Sequence, residues 1–253
     1  MSTFGRLFYD ADAGRLGPVL RGHLLLFDKR EAPAYSAVSG RWLLALFVIF
    51  ELVLGPRLHA LSLFGIEIAD APVRPLLQLL AVLFAVRLLA KLRLREIGFL
   101  PLTRWSATEA LYFMQVVLAA CAIFYLLFFR DAHLADAPMR AIGLVILTQI
   151  LWGFYQELIY RGLLQTELAR RFGSTWGALI ANVAFTFGPL HFYYFDAAMT
   201  DMGKAVMFAA IFGVGLFFAF IFARTVNIWI VGIFHGIGNL FTNGGSEIHS
   251  LLG

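Results

Sequence analysis

The stretch IGLVILTQILWGFYQELIYR, from Ile142 to Arg161, decides how the rest of the chain is read. It is long enough to cross a bilayer, since a spanning helix takes about 20 mostly apolar residues. Yet its last third carries Gln156, Glu157, Tyr160 and Arg161. An ionisable group in hydrocarbon costs several kcal/mol unless it is paired or hydrated, so each one is a functional candidate by default. Glu157 and Arg161 stand four residues apart, share one helix face and are expected to pair. Gln156 and Tyr160 do the same on the neighbouring face.

Outward from this helix, six more apolar segments read as spans: Trp42 to Leu63, Pro75 to Leu92, Thr108 to Phe129, Thr175 to Leu190, Lys204 to Ala223 and Ile228 to Thr242. The central helix is expected to continue to Ala169. Gly173-Ser174 stops it, and Ser174 or Thr175 caps the next helix. Pro56 is a candidate break in the first span. The expected fold is therefore all-α, a polytopic bundle of about seven spanning helices (residues 42–253). An N-terminal arm, residues 1–41, precedes it, with an interfacial helix around Leu24 to Phe27. Arg6, Asp10, Asp12 and Arg15 interrupt the first fifteen residues, so no cleavable signal peptide is expected there.

Composition agrees. Hydrophobic residues are 60% of the 253 and charged residues 14%, against about 45–50% and 25% in soluble domains. That excludes a disordered chain and a secreted disulfide scaffold. The single cysteine, Cys121, excludes an internal disulfide and a cysteine-built zinc knuckle; it is expected to be a small packed residue. The net charge of +4 is read as basic loops rather than as a nucleic-acid surface. Fifteen of the 20 Lys and Arg fall in residues 1–41, 87–104, 161–173 and at 224, and five on the other side. The positive-inside bias then places the N-terminus in the cytoplasm and the C-terminus outside.

Two more polar clusters interrupt the apolar helices. Phe187-Gly188-Pro189-Leu190-His191 closes the fifth, where Pro189 marks a bend. His235-Gly236-Ile237-Gly238-Asn239 lies in the seventh, with His235 and Asn239 on one face. Gly232, Gly236 and Gly238 allow a second backbone to come close. Taken singly, each cluster has a bland explanation: an ion pair that satisfies itself, an interfacial histidine, a polar helix contact. Their depths argue otherwise. Gln156 lies 17 residues before Gly173 and His191 lies 18 after it, so both sit about 26 Å from that turn at 1.5 Å per residue. His235 and Asn239 lie 11 and 15 residues beyond Arg224, about 17–23 Å from the same side.

In order and helix placement, Gln156-Glu157-x-x-x-Arg161, Phe187-x-x-x-His191 and His235-x-x-x-Asn239 resemble the three motifs of the CPBP family. That family holds the CAAX prenyl endopeptidases and bacteriocin-processing intramembrane proteases. The resemblance covers about the last 100 residues before the C-terminus and implies a glutamic-type intramembrane peptidase. In such enzymes the first Glu and the middle His activate a water, while the last His and Asn face the oxyanion. Gln156, Glu157, His191, His235 and Asn239 are the catalytic candidates on that basis, with Arg161, Tyr160 and Phe187 orienting them. The chemistry suits peptide hydrolysis, which needs a base, an acid and oxyanion donors. No cofactor is expected: Glu157, His191 and His235 could ligate a metal but do not form a dense metal motif.

One position departs from the family. Its first Glu is Gln156 here, and a carboxamide is no base at neutral pH. Three readings stay open: Glu157 serves as base, the Gln was introduced to silence the chain, or catalysis has been lost. The expected substrate is a membrane-anchored protein or peptide cut near the outer interface, similar to the bacterial sorting (myxosortase-like) branch in the inner membrane. The rivals are an inactive scaffold or immunity protein that binds a peptide in the same cavity, and a transporter using Glu157, His191 and His235 as a proton relay. Glu51 and Gln78 are expected to face the cavity. Asn182 is expected to make a packing hydrogen bond, and Trp152 and Trp229 to line either the cavity or the interface.

Overall fold

The computed structural model describes residues 9–10, 15–16, 34–54, 62–63, 66–67, 72–100, 107–128 and 139–252. The expected interfacial helix near Leu24 lies outside them. Apart from two antiparallel pairings of two residues each (Tyr9–Asp10 with Arg15–Leu16, and Ser62–Leu63 with Ile66–Glu67), the described chain is helices and their connections. The helices are α1 (Ala37–Leu54), α2 (Val73–Ala90), α3 (Ala107–Phe128), α4, α5 (Ser174–Phe187), the single turn α6 (Tyr193–Asp196), α7 (Asp201–Thr225) and α8 (Ile228–Leu252). Helix α4 runs over Met139–Glu157, widens into π turns over Leu158–Gln165 and tightens again over Thr166–Phe172.

Four of the described helices are long and apolar enough to cross a membrane: Ala37–Leu54, Val73–Ala90, Ala141–Phe172 and Asp201–Thr225. A shorter apolar stretch, Phe113–Leu126, lies in α3. Helix α5 has 14 residues, about 21 Å, which is less than a hydrocarbon core of about 30 Å. The first span differs from expectation at both ends. It starts at Ala37 because Ser36 caps it, its Oγ accepting from the Ser39 N–H at 3.1 Å. Its described residues end at Leu54, and Ser62–Leu63, the expected end of the span, are extended. Cys121 is exposed on α3 rather than packed inside.

Helices α4 and α8 form the central crossing of the bundle. Glycine makes the close approach possible. A methyl group on Gly153 would overlap the Gly236 backbone, and one on Gly236 would stand 2.7 Å from the Cα of Ile150. Helix α3 covers the other side of α8, with Phe124 edge-on to Phe234 at 5.7 Å. Helix α5 returns against the end of α4, and α7 packs on α5. Helix α1 lies against α2 and against the widened part of α4. A strap from Gly98 to Leu100 fastens the start of α8: Ile228 N–H donates to Gly98 O at 2.9 Å, and the Trp229 indole donates to Leu100 O at 2.7 Å. The core sits where α1, α4, α5, α7 and α8 meet, and its largest fully buried side chains are Arg161 and Tyr160.

Candidate active site

Glu157 is completely buried, and both of its oxygens are engaged. His235 Nδ1, from α8, donates to Oε1 at 2.7 Å. Arg161 Nε, one turn along α4, donates to Oε2 at 3.2 Å. A buried carboxylate is tolerated only with such compensation. The guanidinium is also fully buried. It donates from a second nitrogen to Gly215 O on α7 at 3.0 Å, and it lies 5.2 Å from the centre of the Phe185 ring. Gln165 follows one turn later and donates to Ala219 O at 2.9 Å. The widened turns of α4 thus present Arg161 and Gln165 to two carbonyls of α7. A π segment inside an α-helix is often a functional feature, and here it carries the cation that balances Glu157.

His191 sits in a 3-10 turn, Pro189–His191, just past the end of α5. Its Nδ1 lies 2.8 Å from Phe185 O. A carbonyl only accepts, so Nδ1 carries the proton and Nε2 offers its lone pair. Phe185 is the hub of the site. Its ring is edge-on to His191 at 5.0 Å, to His235 at 5.8 Å and to Tyr160 at 5.2 Å. One aromatic ring therefore touches both imidazoles. Phe218 stacks on His235 at 4.9 Å, and Tyr194 stacks on His191 at 6.1 Å.

The neighbouring face of α4 is more open. Gln156 and Asn239 are half-buried, and Asn239 Nδ2 donates to Gln156 Oε1 at 3.2 Å. Tyr160 is directed elsewhere: its hydroxyl donates to Glu51 Oε1, on α1, at 2.7 Å in a buried setting. Seven of the eight sequence-selected residues therefore come together around the α4–α8 crossing and Phe185. Phe187 does not. It is exposed and lies against Phe208 at 5.4 Å, because α5 turns it to the face opposite Phe185. The aromatic that touches the site is Phe185, two residues earlier, and nothing in an apolar run distinguishes it by sequence.

Other singled-out residues are accounted for. Asn182 donates to Phe212 O at 3.0 Å, the packing hydrogen bond expected of it. Trp152 lies under the Arg74 guanidinium at 5.3 Å and edge-on to Tyr155 at 5.7 Å. Gln78 is buried on α2. Among the described residues, no three His, Cys, Asp or Glu side chains gather as a metal set.

A membrane-embedded helical bundle with a buried carboxylate paired to His and Arg, and a second His nearby, brings together groups that hydrolysis inside a membrane needs. The comparison with family models narrows this. Residues 138–241 match the family model described as Type II CAAX prenyl endopeptidase Rce1-like, the family that the three motifs resemble. The family implies a CAAX-type protease function in a membrane. The matched residues run from the start of α4 to Phe241 in α8 and enclose every site residue except Glu51. No curated protein and no solved structure matches the chain.

Proposed function

We propose that this chain is an intramembrane endopeptidase that hydrolyses a peptide bond in a membrane-anchored protein or peptide, with His191 as the base. The observation that carries the reading is the 2.7 Å Glu157–His235 contact between two helices, closed by Arg161. Both Glu157 oxygens are occupied, which favours an orienting role over direct attack on water. Glu157 fixes the ring of His235, much as a carboxylate fixes a catalytic imidazole elsewhere. With both ring nitrogens protonated, His235 donates from Nδ1 to Glu157 and from Nε2 to the developing oxyanion, together with the Asn239 amide, and such donors act most strongly where water is excluded. The His191 Nε2 lone pair takes the proton from water as its oxygen attacks the scissile carbonyl. The same proton then passes to the departing amine.

Gln156 shapes the rate. In the family its position holds the carboxylate that shares the work of activating water. Here the amide can hydrogen-bond that water but cannot take its proton. The chain is accordingly a slow peptidase whose base is a single imidazole. The basic loops support an orientation with the N-terminus in the cytoplasm and the site toward the opposite leaflet. That favours an anchored exported protein in a bacterial inner membrane over a cytosolic prenylated tail, and removal of a C-terminal anchor as the role. The rival reading, a binder without catalysis, draws on Gln156 alone.

The test is cleavage in liposomes of two probes: a peptide with a farnesylated cysteine near its C-terminus, and a single-span peptide with a basic tail. Slow cleavage of the spanning probe, lost in His191→Ala and in His235→Ala, supports the proposal. Tight binding with no cleavage, by this chain and by Gln156→Glu alike, sinks it in favour of the binder.

A further inference from the structure

We propose that Glu51, on the first helix and outside the family-matched region, is a positioning residue for His191; this rests on the peptidase reading above. Glu51 is buried and accepts the Tyr160 hydroxyl at 2.7 Å. The backbone N–H of Leu190 points its positive end to the same carboxylate, and this turn of α1 packs against Pro189–His191. One side group of α1 thus joins α4 to the turn that carries His191. The turn is tied to itself as well. His191 N–H donates to Gly188 O at 3.0 Å and Phe192 N–H to Pro189 O at 3.3 Å. Gly188 lies directly over the phenol, where a Cβ would stand 3.1 Å from the Tyr160 oxygen. Pro189 has no N–H to offer, so Leu190 is the first residue of the turn after Gly188 that can donate to Glu51.

The geometry makes a strut. Tyr160 is three residues from Glu157 on α4, and Leu190 is next to His191. Holding both donors on one carboxylate sets the spacing between the helix that orients His235 and the turn that presents the base. Small losses of such spacing cost rate more than binding. Among the described residues, the titratable groups facing this carboxylate are Tyr160 and, more distantly, Tyr155. Glu51 touches neither imidazole in the described contacts, so its role runs through the turn.

The variants are Glu51→Ala, Glu51→Gln and Tyr160→Phe, made in the full chain and assayed with the single-span probe in liposomes. The expected result is a fall in kcat of tenfold or more in Glu51→Ala with KM within twofold. Glu51→Gln, which keeps one acceptor, should fall between Ala and native. The double variant Glu51→Gln/Tyr160→Phe should be no slower than its slower single parent. Hydrogen exchange gives a readout independent of turnover: the 188–192 amides should exchange at least tenfold faster in Glu51→Ala, with those of 139–154 unchanged. If Glu51→Ala does not fold, the other two variants carry the same comparison. A native chain that cleaves, with variants that match it in kcat and in exchange at 188–192, overturns this inference and leaves the peptidase reading intact. A native chain and a Gln156→Glu variant that both leave the probe uncut overturn the peptidase reading, and the positioning role falls with it.

Discussion

His235 and Glu157 are 78 residues apart in sequence, yet Nδ1 of one lies 2.7 Å from Oε1 of the other inside an apolar bundle. The contact exists because α4 and α8 cross at Gly153 and Gly236, where neither backbone carries a side chain to hold the other away. The polar pair and the glycine crossing are one device. The glycines bring the helices into reach, and the pair fixes where they stop.

The crossing is therefore predicted to be sensitive to a single added methyl group. Gly236→Ala would push a methyl against the Ile150 backbone, and overpacking costs roughly 1–3 kcal/mol where side chains can yield. Backbone does not yield as a side chain does, so the upper end is expected. Thermal unfolding in detergent should show a drop in Tm for Gly236→Ala and for Gly153→Ala. Gly143→Ala on the same helix, where a Cβ meets nothing within 4 Å, should leave Tm unchanged.

Breaking the ion pair from one side should cost more than removing it whole. Glu157→Gln leaves the buried Arg161 without its carboxylate, and an uncompensated buried charge costs about 3–5 kcal/mol. Glu157→Gln with Arg161→Gln removes both charges and should recover part of that loss. The measurement is a double-mutant cycle on unfolding in mixed micelles. Strict additivity of the two single effects would show that the contact carries no coupling energy.

Much of this site is legible in the sequence, for a physical reason. Glu157, Arg161, His191 and His235 stand out because hydrocarbon makes each of them expensive, and the cost shows as a polar letter in an apolar run. Their common depth follows from the rise of a helix. Phe185 was not legible, since a ring that joins two histidines and a guanidinium reads like any other aromatic of a spanning helix. Glu51 was visible as a polar intruder, but its partner 109 residues away was not, because no local spacing encodes a contact between α1 and α4. The wide turns of α4 leave no mark either: LIYRGLLQ has no proline or glycine pair to announce them. The early start of α1 was within reach, through the Ser36 cap.

The Glu167 cluster should separate stability from chemistry. Glu167 is fully buried near the far end of α4 and accepts from Arg170, from Arg171 and, at 2.9 Å, from the Tyr35 hydroxyl. Burial first, and this carboxylate second, hold the Tyr35 phenol above its ordinary range, so it stays a donor. Both arginines are about a third exposed, so solvent screens much of their share. Glu167→Ala should lower Tm while leaving cleavage per folded molecule unchanged. A selective fall in kcat would place this end of α4 in the reaction.

Gln156→Glu is the most informative single change for rate. It adds a carboxylate on the half-buried face beside Asn239 without altering size. A positioned general base contributes about 10²–10⁴-fold, and His191 already supplies part of that, so a gain of roughly tenfold or more is expected. The assay is initial-rate cleavage of the single-span probe at equal amounts of folded protein. A fall in rate would mean that the amide, through its bond to Asn239, is the arrangement this chain needs.

The contrast between Phe185 and Phe187 tests which aromatic serves the site. Phe187→Ala removes a ring that lies on Phe208 at the bundle surface, so cleavage should be unchanged. Phe185→Leu keeps apolar volume but removes the ring that both imidazoles meet edge-on and that faces Arg161. Aromatic contacts of this kind contribute about 0.5–1.5 kcal/mol each beyond burial. A moderate loss of stability is expected, together with a larger loss of kcat, since His191 and His235 would no longer share one ring. Comparing kcat with Tm across the two variants decides it. If Phe187→Ala lowers kcat more than Phe185→Leu does, the catalytic surface lies on the outer face of α5, and the cluster around Glu157 is scaffolding.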